Sequence, residues 1–453
     1  MDEGLVARLG RAIDGRVIGP GASDYDDARR TFNALIDRRP AAIARVTNPA
    51  DIAAAIAIAR DAGVRLGVRG GGHSVAGHAI VEGGVVIDCS QMRSVTVNAD
   101  RRVAHVAGGA QWLDLDGAAL AHGLAVPGGV FGDTGVAGLT LGGGIGFLMG
   151  IGGFTCDNLI GAQIVTPGGD VVEAADDPDL LWALRGGGGN FGVVTRFDLG
   201  LHPVGPMYGG KAHVPLGDGA LLRRWAALMP DAPDTLLPMI VLFPEDDGTP
   251  TAEIQFACAG PAGDGARHAT ALLGEDAERH PGLGPGTYLD IQAMNPIEAF
   301  GRRNYWTSTF VRDLDDALVD LLVEVAGTFP TRESGVLIEP VHGVARRTPL
   351  QHAAFQHREA RFHVSAIAIW RDPDFDAVGT DWSRGVTARV SAWSTGGLYS
   401  NYSMPGEAAS TGPADRARAA YPPSTYDRLR AVKRRYDPDN LFRSNLNILP
   451  ADA

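Results

Sequence analysis

Three clusters of consecutive glycines constrain this chain more than any other feature. They are Gly70, Gly71 and Gly72; Gly142, Gly143 and Gly144; and Gly186, Gly187, Gly188 and Gly189. A strand-like run (64–68) delivers the chain to the first cluster, and another (191–199) leaves the third. The chain holds 61 glycines in 453 residues. There is no three-residue period, which excludes a collagen-like helix. Valine, leucine and isoleucine are interleaved throughout, which argues against a disordered linker. What remains is backbone that must turn tightly or lie close against a ligand.

The first cluster reads Val68-Arg69-Gly70-Gly71-Gly72-His73-Ser74-Val75. Successive glycines let backbone N–H groups point one way, forming an anion-binding nest suited to a pyrophosphate. No Gly-Lys-Ser/Thr follows and the glycines open no helix, so this is neither a P-loop nor a dinucleotide fingerprint. His73 stands where a cofactor would lie; a turn carrying an exposed histidine is the alternative. The second cluster continues through Gly146, Gly150, Gly152 and Gly153 to Thr155-Cys156-Asp157-Asn158-Leu159. A flat ligand against the backbone would account for this density, although an isolated cysteine is ordinarily a buried structural one. The third reads Arg185-Gly186-Gly187-Gly188-Gly189-Asn190-Phe191-Gly192-Val193-Val194. Alone it could be a flexible hairpin; beside the other two it points to a shared ligand. Near the C-terminus, Tyr399-Ser400-Asn401-Tyr402 offers two tyrosines. Either acts as a base only if neighbours lower its pKa, and a packed tyrosine is the plainer reading.

Composition removes several classes. A net charge of −13 would repel phosphate backbones, so nucleic acid is excluded as a partner. The three cysteines, Cys89, Cys156 and Cys258, make no disulfide framework and fit a reducing compartment. No signal-peptide pattern and no long apolar span appears, so a soluble cytoplasmic protein with no membrane partner is expected. His352, His357 and His363 lie near one another, but no metal-ligand spacing accompanies them and no metal is expected. No Gly-x-Ser-x-Gly elbow supports a serine hydrolase.

The expected elements are a helical, polar opening to about residue 39; a helix over 50–62 with Asn48 and Asp51 as caps; and a helix over 110–122 ended by Gly123. A hairpin is expected through Pro167-Gly168-Gly169-Asp170. After His202-Pro203 the glycine clusters thin, and strand-like runs at 251–258, 335–339 and 362–370 alternate with a helical run at 315–325. The length and this change of character give an α+β protein of two or three domains.

Taken together, these patches resemble the berberine-bridge-enzyme-like FAD-linked oxidases of the vanillyl-alcohol-oxidase, or PCMH-type, flavoprotein fold. The stretches that carry the resemblance are Arg69-Gly-Gly-Gly-His73-Ser74, the run ending Cys156-Asp157-Asn158-Leu159, residues 185–195, and Tyr436-Asp-Pro-Asp-Asn440-Leu-Phe-Arg-Ser-Asn445-Leu-Asn447-Ile448. They span both ends of the chain. The resemblance implies a PCMH-type FAD-binding domain over 1–203, and a substrate domain over 204–398 with an antiparallel sheet covered by helices. It also implies a segment over 399–453 that returns to the FAD domain.

It further implies FAD held through two covalent bonds, His73 to the 8α-methyl and Cys156 to C6. The cofactor-binding residues it implies are Arg69, Gly70, Gly71, Gly72, Ser74, Gly77, His78, Thr134, Gly135, Gly138, Gly142, Gly143, Gly146, Asn158, Gly192, Val193, Val194, Asn445 and Asn447. The implied base is a tyrosine in a short strand before the tail, Tyr402 first and Tyr399 second. It would take a proton from an alcohol or amine of a secondary metabolite or carbohydrate as hydride passes to flavin N5. Dioxygen would reoxidise the flavin and give hydrogen peroxide. Leu159 falls at a position that gates oxygen in some relatives, which keeps a dehydrogenase with another acceptor as an alternative. A flavin-bound cyclase or non-redox protein is the third reading. Tyr305, Trp306, His357 and Trp370 are candidates for shaping the substrate pocket.

Overall fold

A computed structural model of the chain describes residues 4–295, 301–404 and 413–452. Two sheets occupy the first half. The smaller has the order Arg16–Ile18, Ala42–Arg45, Val85–Asp88, Leu66–Arg69. Its last three strands are parallel. The helix Pro49–Asp61 makes the crossover between Ala42–Arg45 and Leu66–Arg69. Asn48 caps that helix by accepting the Asp51 N–H at 2.9 Å, and Pro49 sits in the first turn where no N–H is needed.

The second sheet is antiparallel, in the order Val95–Asn98, Val103–Ala107, Val193–Gly200, Leu159–Val165, Val171–Glu173. The expected hairpin is its Leu159–Val165 and Val171–Glu173 pair. The expected opening helix is shorter than the sequence suggested: Leu5–Ala12 is helical, then Arg16–Ile18 is a strand and Tyr25–Ala28 a single turn. Gly15, Gly19, Pro20 and Gly21 interrupt the helical run there.

The middle of the chain forms a seven-stranded antiparallel sheet: Leu283–Gly286, Met207–Pro215, Pro250–Ala259, Leu236–Pro244, Gly335–Pro340, Phe362–Trp370, Arg303–Val311. The helices Ala220–Leu228, Ala262–Leu273, Asp316–Ala326 and Asp376–Val390 supply buried residues such as Trp225, Leu322 and Val386 to one core with Ile240, Ile254 and Val364. A second core joins that sheet's strands to the glycine-rich segment; Phe147, Phe154 and Cys156 pack there with Leu237, Phe310, Phe355 and Tyr399. Beyond residue 412 the chain returns to the first half. Tyr426, Leu429, Val432 and Ile448 are buried with Trp112, Leu180 and Phe197. The long helix Pro423–Tyr436 therefore closes over the second sheet rather than the third.

Candidate active site

The first glycine cluster is drawn against Gly135, in the segment that leads to the second cluster, because each needs the other's bareness. A methyl group on Gly71 would stand 2.3 Å from the Gly135 nitrogen, and one on Gly135 would stand 2.4 Å from the Gly71 nitrogen. The turn after Leu66–Arg69 and the segment entering the helix Val136–Leu141 are thus in backbone contact. Gly72 (φ +77°) turns the chain so that His73 and Ser74 follow. The third cluster comes alongside as the Gly188 N–H donates to the Leu141 carbonyl at 2.9 Å.

Between these segments and the edge of the seven-stranded sheet lies one long cavity. Its walls include Gly70, Gly71, Gly72, His73, Ser74, His78, Thr134, Gly135, Gly138, Gly142, Gly188, Gly189, Trp306, Tyr402 and Asn445. Gly138 and Gly189 line it with no heavy atom within 4 Å of where their Cβ would be. Glycine inside a helix costs about 1 kcal/mol relative to alanine, so Gly138 keeps space open at the expense of the helix Val136–Leu141. That space, flanked by glycine N–H groups, fits a large ligand with anionic and flat parts.

His73 faces this cavity. Its ring stacks on Phe32 with centroids 5.0 Å apart, and Nε2 stands 3.1 Å from Asp133 Oδ2. Asp133 is itself buried. His78 also lines the cavity, and burial together with Arg416 and Arg38 pushes its pKa down to about 4, keeping it neutral.

Several expected residues lie elsewhere. Arg69 turns away, donating to the Ala28 and Arg30 carbonyls and anchoring the N-terminal segment below the turn. Gly77, Gly143, Gly146 and Gly192 face protein: a Cβ on each would meet Ile36, Phe355, the Gly128 carbonyl and the Val165 carbonyl, respectively. Val193 and Val194 are strand residues in the core. Asn158 ties the chain locally, donating to the Gly152 and Phe154 carbonyls and meeting His202 Nε2 at 2.6 Å. Asn447 is buried and is not among the lining residues.

Cys156 departs most from expectation. It is fully buried in the aromatic core with Phe154, Phe355 and Tyr399, and the cavity wall does not include it. Its N–H donates to the Gly143 carbonyl at 2.8 Å, so the second glycine cluster stands on it rather than beside it. Burial and Asp157 push the thiol's pKa well up, which leaves it an unreactive thiol. Asp157 is in turn held by the buried Arg358, with Nη1 to Oδ2 at 2.9 Å. Leu159 is also fully buried in the core of the second sheet and lies off the cavity.

The two tyrosines occupy a turn, not a strand; the Tyr402 N–H donates to the Tyr399 carbonyl at 3.0 Å. Of these two, Tyr402 lines the cavity and Tyr399 does not. It packs edge-on to Trp306 at 5.1 Å, and its hydroxyl lies 3.5 Å from Glu339 Oε1. Tyr399 is buried beneath it, accepting from Asn401 Nδ2 at 3.1 Å. Desolvation and the Glu339 carboxylate raise both phenols above their ordinary range.

Sequence reasoning missed Glu339 and the partner that holds it. Glu339 and His363 are register neighbours on Gly335–Pro340 and Phe362–Trp370. Both are fully buried, and His363 Nδ1 lies 2.8 Å from Glu339 Oε2. The carboxylate thus bridges an imidazole and the Tyr402 hydroxyl. A lone acid in the apolar run Gly335-Val336-Leu337-Ile338-Glu339 was the available signal, since a buried carboxylate needs a partner.

Comparison with known proteins agrees with this architecture. Residues 40–175 match the family model described as FAD binding domain, and residues 398–449 match the one described as berberine and berberine like. The chain is 29% identical to (R)-6-hydroxynicotine oxidase of Paenarthrobacter nicotinovorans over 97% of each protein. The crystal structure of 6-hydroxy-D-nicotine oxidase from Arthrobacter nicotinovorans superposes with a TM-score of 0.85 at 27% identity, covering 97% of this chain and 98% of that one. The grass pollen allergen Phl p 4, which has glucose dehydrogenase activity, shares the fold with a TM-score of 0.88 at 22% identity, covering 99% of this chain and all of the other. No helix among the described residues is long and apolar enough to cross a membrane.

Proposed function

Because this chain belongs to the berberine-bridge-enzyme-like FAD-linked oxidoreductases, we propose that it oxidises an alcohol or amine carbon of a small secondary metabolite or carbohydrate, using the Tyr402–Glu339–His363 group to take the proton. The observation that carries this reading is the placement of a buried carboxylate–imidazole pair directly behind Tyr402 on the cavity wall.

FAD supplies the hydride acceptor when bound, and the protein supplies position and proton transfer. The Gly70, Gly71 and Gly72 turn and the segment around Gly135 would hold its anionic part, and Gly138 and Gly189 would leave it room. His73, on the cavity wall, would be the point of covalent attachment. Cys156 makes no second bond, because it stands behind the second glycine cluster.

Tyr402 is not a stored phenolate, since its surroundings raise its pKa. It works as a relay. Its oxygen accepts the substrate O–H or N–H proton while its own proton passes to Glu339 Oε1. His363 Nδ1 holds the other carboxylate oxygen and fixes the carboxyl group's orientation. Trp306 packs edge-on to Tyr402 on the same wall. The active-site environment favours a substrate with one polar hydrogen-bonding group on an otherwise apolar or stacking body.

Dioxygen is the proposed acceptor, as the name of (R)-6-hydroxynicotine oxidase suggests for that relative. Phl p 4 has glucose dehydrogenase activity, so the dehydrogenase reading stands second. Leu159 does not favour it, because that side chain is buried away from the cavity.

The test is anaerobic rapid mixing with candidate alcohols and amines, following flavin bleaching. Glu339→Gln and Tyr402→Phe should each slow bleaching by roughly 10²–10⁴, the range for a lost general base. A substrate that bleaches both variants at the parental rate would remove the relay. Peroxide formed stoichiometrically on admitting air would establish the oxidase; slow reoxidation would leave the dehydrogenase.

A further inference from the structure

A second cavity, of about 170 Å³, opens where the strand Gly335–Pro340 ends and Phe362–Trp370 begins. It shares no wall residue with the cavity assigned to FAD. One water needs about 10–15 Å³ of such space, so a compact polyatomic ligand fits. Three arginines stand on this wall, Arg346, Arg347 and Arg361, against one carboxylate, Asp234. In a chain of net charge −13, that balance is local and opposite in sign to the whole.

The three cations are not alike. Arg347 is neutralised by Asp234 through a bidentate fork, with Nη1 to Oδ1 at 3.0 Å. Arg361 has only a long contact, Nη1 to Asp313 Oδ2 at 3.4 Å. Arg346 makes no ion pair or side-chain hydrogen bond among the described residues. Burial and the neighbouring Arg361 charge push its pKa down, and Asp313 opposes them. A guanidinium without a counter-charge, beside a second guanidinium, is the condition that a bound oxyanion relieves. His342 stands on the same wall and is 6% exposed; among the described residues neither ring nitrogen completes a hydrogen bond, although the Leu236 backbone is near. Burial outweighs the nearby Asp234 carboxylate and keeps the imidazole neutral, so it adds no fourth charge. The turn that carries Arg346 and Arg347 is fixed from behind. A Cβ on Gly343 (φ +61°) would stand 2.4 Å from the Gly150 carbonyl oxygen, and the Ala345 carbonyl accepts from the buried Arg358 at 2.9 Å. The Val341 N–H donates to the Arg361 carbonyl at 2.7 Å, which sets the two arginine-bearing segments side by side. The backbone beneath the cations is thus preorganised, which lowers the cost of binding.

We propose that this cavity binds a tetrahedral oxyanion, either free phosphate or the phosphate group of a small ester, with Arg346 and Arg361 as its ligands and the Arg347–Asp234 pair as its rim. Arginine suits such a group because its planar fork meets two oxygens at once. The site is separate from the FAD cavity and from the proton relay, and stands whether or not either assignment holds.

The test uses full-length protein with its flavin bound and excess flavin removed, at constant ionic strength. Inorganic phosphate and glycerol phosphate are separate probes, acetate is the control, and binding is followed by calorimetry. The parent should bind at least one phosphate probe saturably at one site, and acetate more weakly. Arg346→Gln and Arg361→Gln should each weaken that binding by about tenfold, the scale of one lost charge-assisted hydrogen bond. Arg267→Gln, which removes an exposed arginine on the helix Ala262–Leu273, should leave it unchanged. Inorganic phosphate bound as tightly as the ester would assign the site to the free ion; a tighter ester would assign it to the phosphate group of a small metabolite. No saturable binding of either phosphate probe would overturn the proposal, as would acetate bound equally well, an equal loss in Arg267→Gln, or unchanged affinity in Arg346→Gln. Arg346→Gln breaks no ion pair, so it keeps the test decisive if Arg361→Gln does not fold.

Discussion

His73 and Cys156 show how far a residue type can be trusted once its surroundings are known. Both follow glycines in the sequence, and both invite covalent attachment. The histidine lies on the cavity wall with a stacking ring on one face and a carboxylate at Nε2. The cysteine is fully buried in an aromatic core. Spacing along the chain cannot separate these cases, because it records which residues follow a turn but not which side of the turn they take. The expected outcome is that acid precipitation of the parent gives a yellow pellet, and that His73→Ala gives a white one. Peptide mapping should place the flavin mass on the His73 peptide and leave the Cys156 peptide unmodified. A His73→Ala pellet that stays yellow would restore the thioether at Cys156. The same limit applies to Tyr402: the sequence offered the phenol, but Glu339 and His363 come from strands 24 residues apart in number and meet only through sheet register.

At the level of elements, local chemistry was legible and pairing was not. Asn48 caps its helix, Gly123 ends another in a left-handed conformation (φ +66°), and the turn around Gly168 and Gly169 joins two antiparallel strands as its residues demand. These outcomes depend on a few neighbours. The helix Val136–Leu141 shows the opposite case, where a locally unfavourable residue signals a use elsewhere. Nothing in the protein occupies the space of a Gly138 side chain. Gly138→Ala should therefore stabilise the flavin-free protein by about 1 kcal/mol, the helix-propensity difference, seen as a higher Tm. The same methyl enters the cavity and should weaken FAD binding. A variant that gains stability and binds FAD as the parent does would show that the cofactor does not pass over this helix.

At the scale of the whole molecule, the first half and the seven-stranded sheet are joined through a buried polar contact. Asp116, on the helix Trp112–Leu120, is 1% exposed and accepts from Gln292 Nε2 at 2.8 Å. Gln292 also donates to the Gly129 carbonyl, and Asn295 Nδ2 donates to the Val130 carbonyl at 3.2 Å. Gly129 and Val130 line the cavity, so this contact steadies a cavity wall from the far side. Burial raises the Asp116 pKa from 3.8 to about 7, with the Gln292 bond opposing the shift only in part. A carboxyl whose folded pKa is raised keeps its proton in the folded chain and loses it in the unfolded chain between those values. The folded state is thus not penalised below about pH 4, and loses stability as pH rises from about 4 to about 7. The displacement of about three pH units corresponds to at most about 4 kcal/mol at and above pH 7. Asp116→Asn keeps an oxygen for Gln292 and removes the titration. Its Tm should match the parent at pH 4, exceed it increasingly from pH 5 to 7, and hold a constant advantage above pH 7. A constant difference across the whole range would mean that the carboxyl does not titrate in this window, and that the domain contact is insensitive to pH.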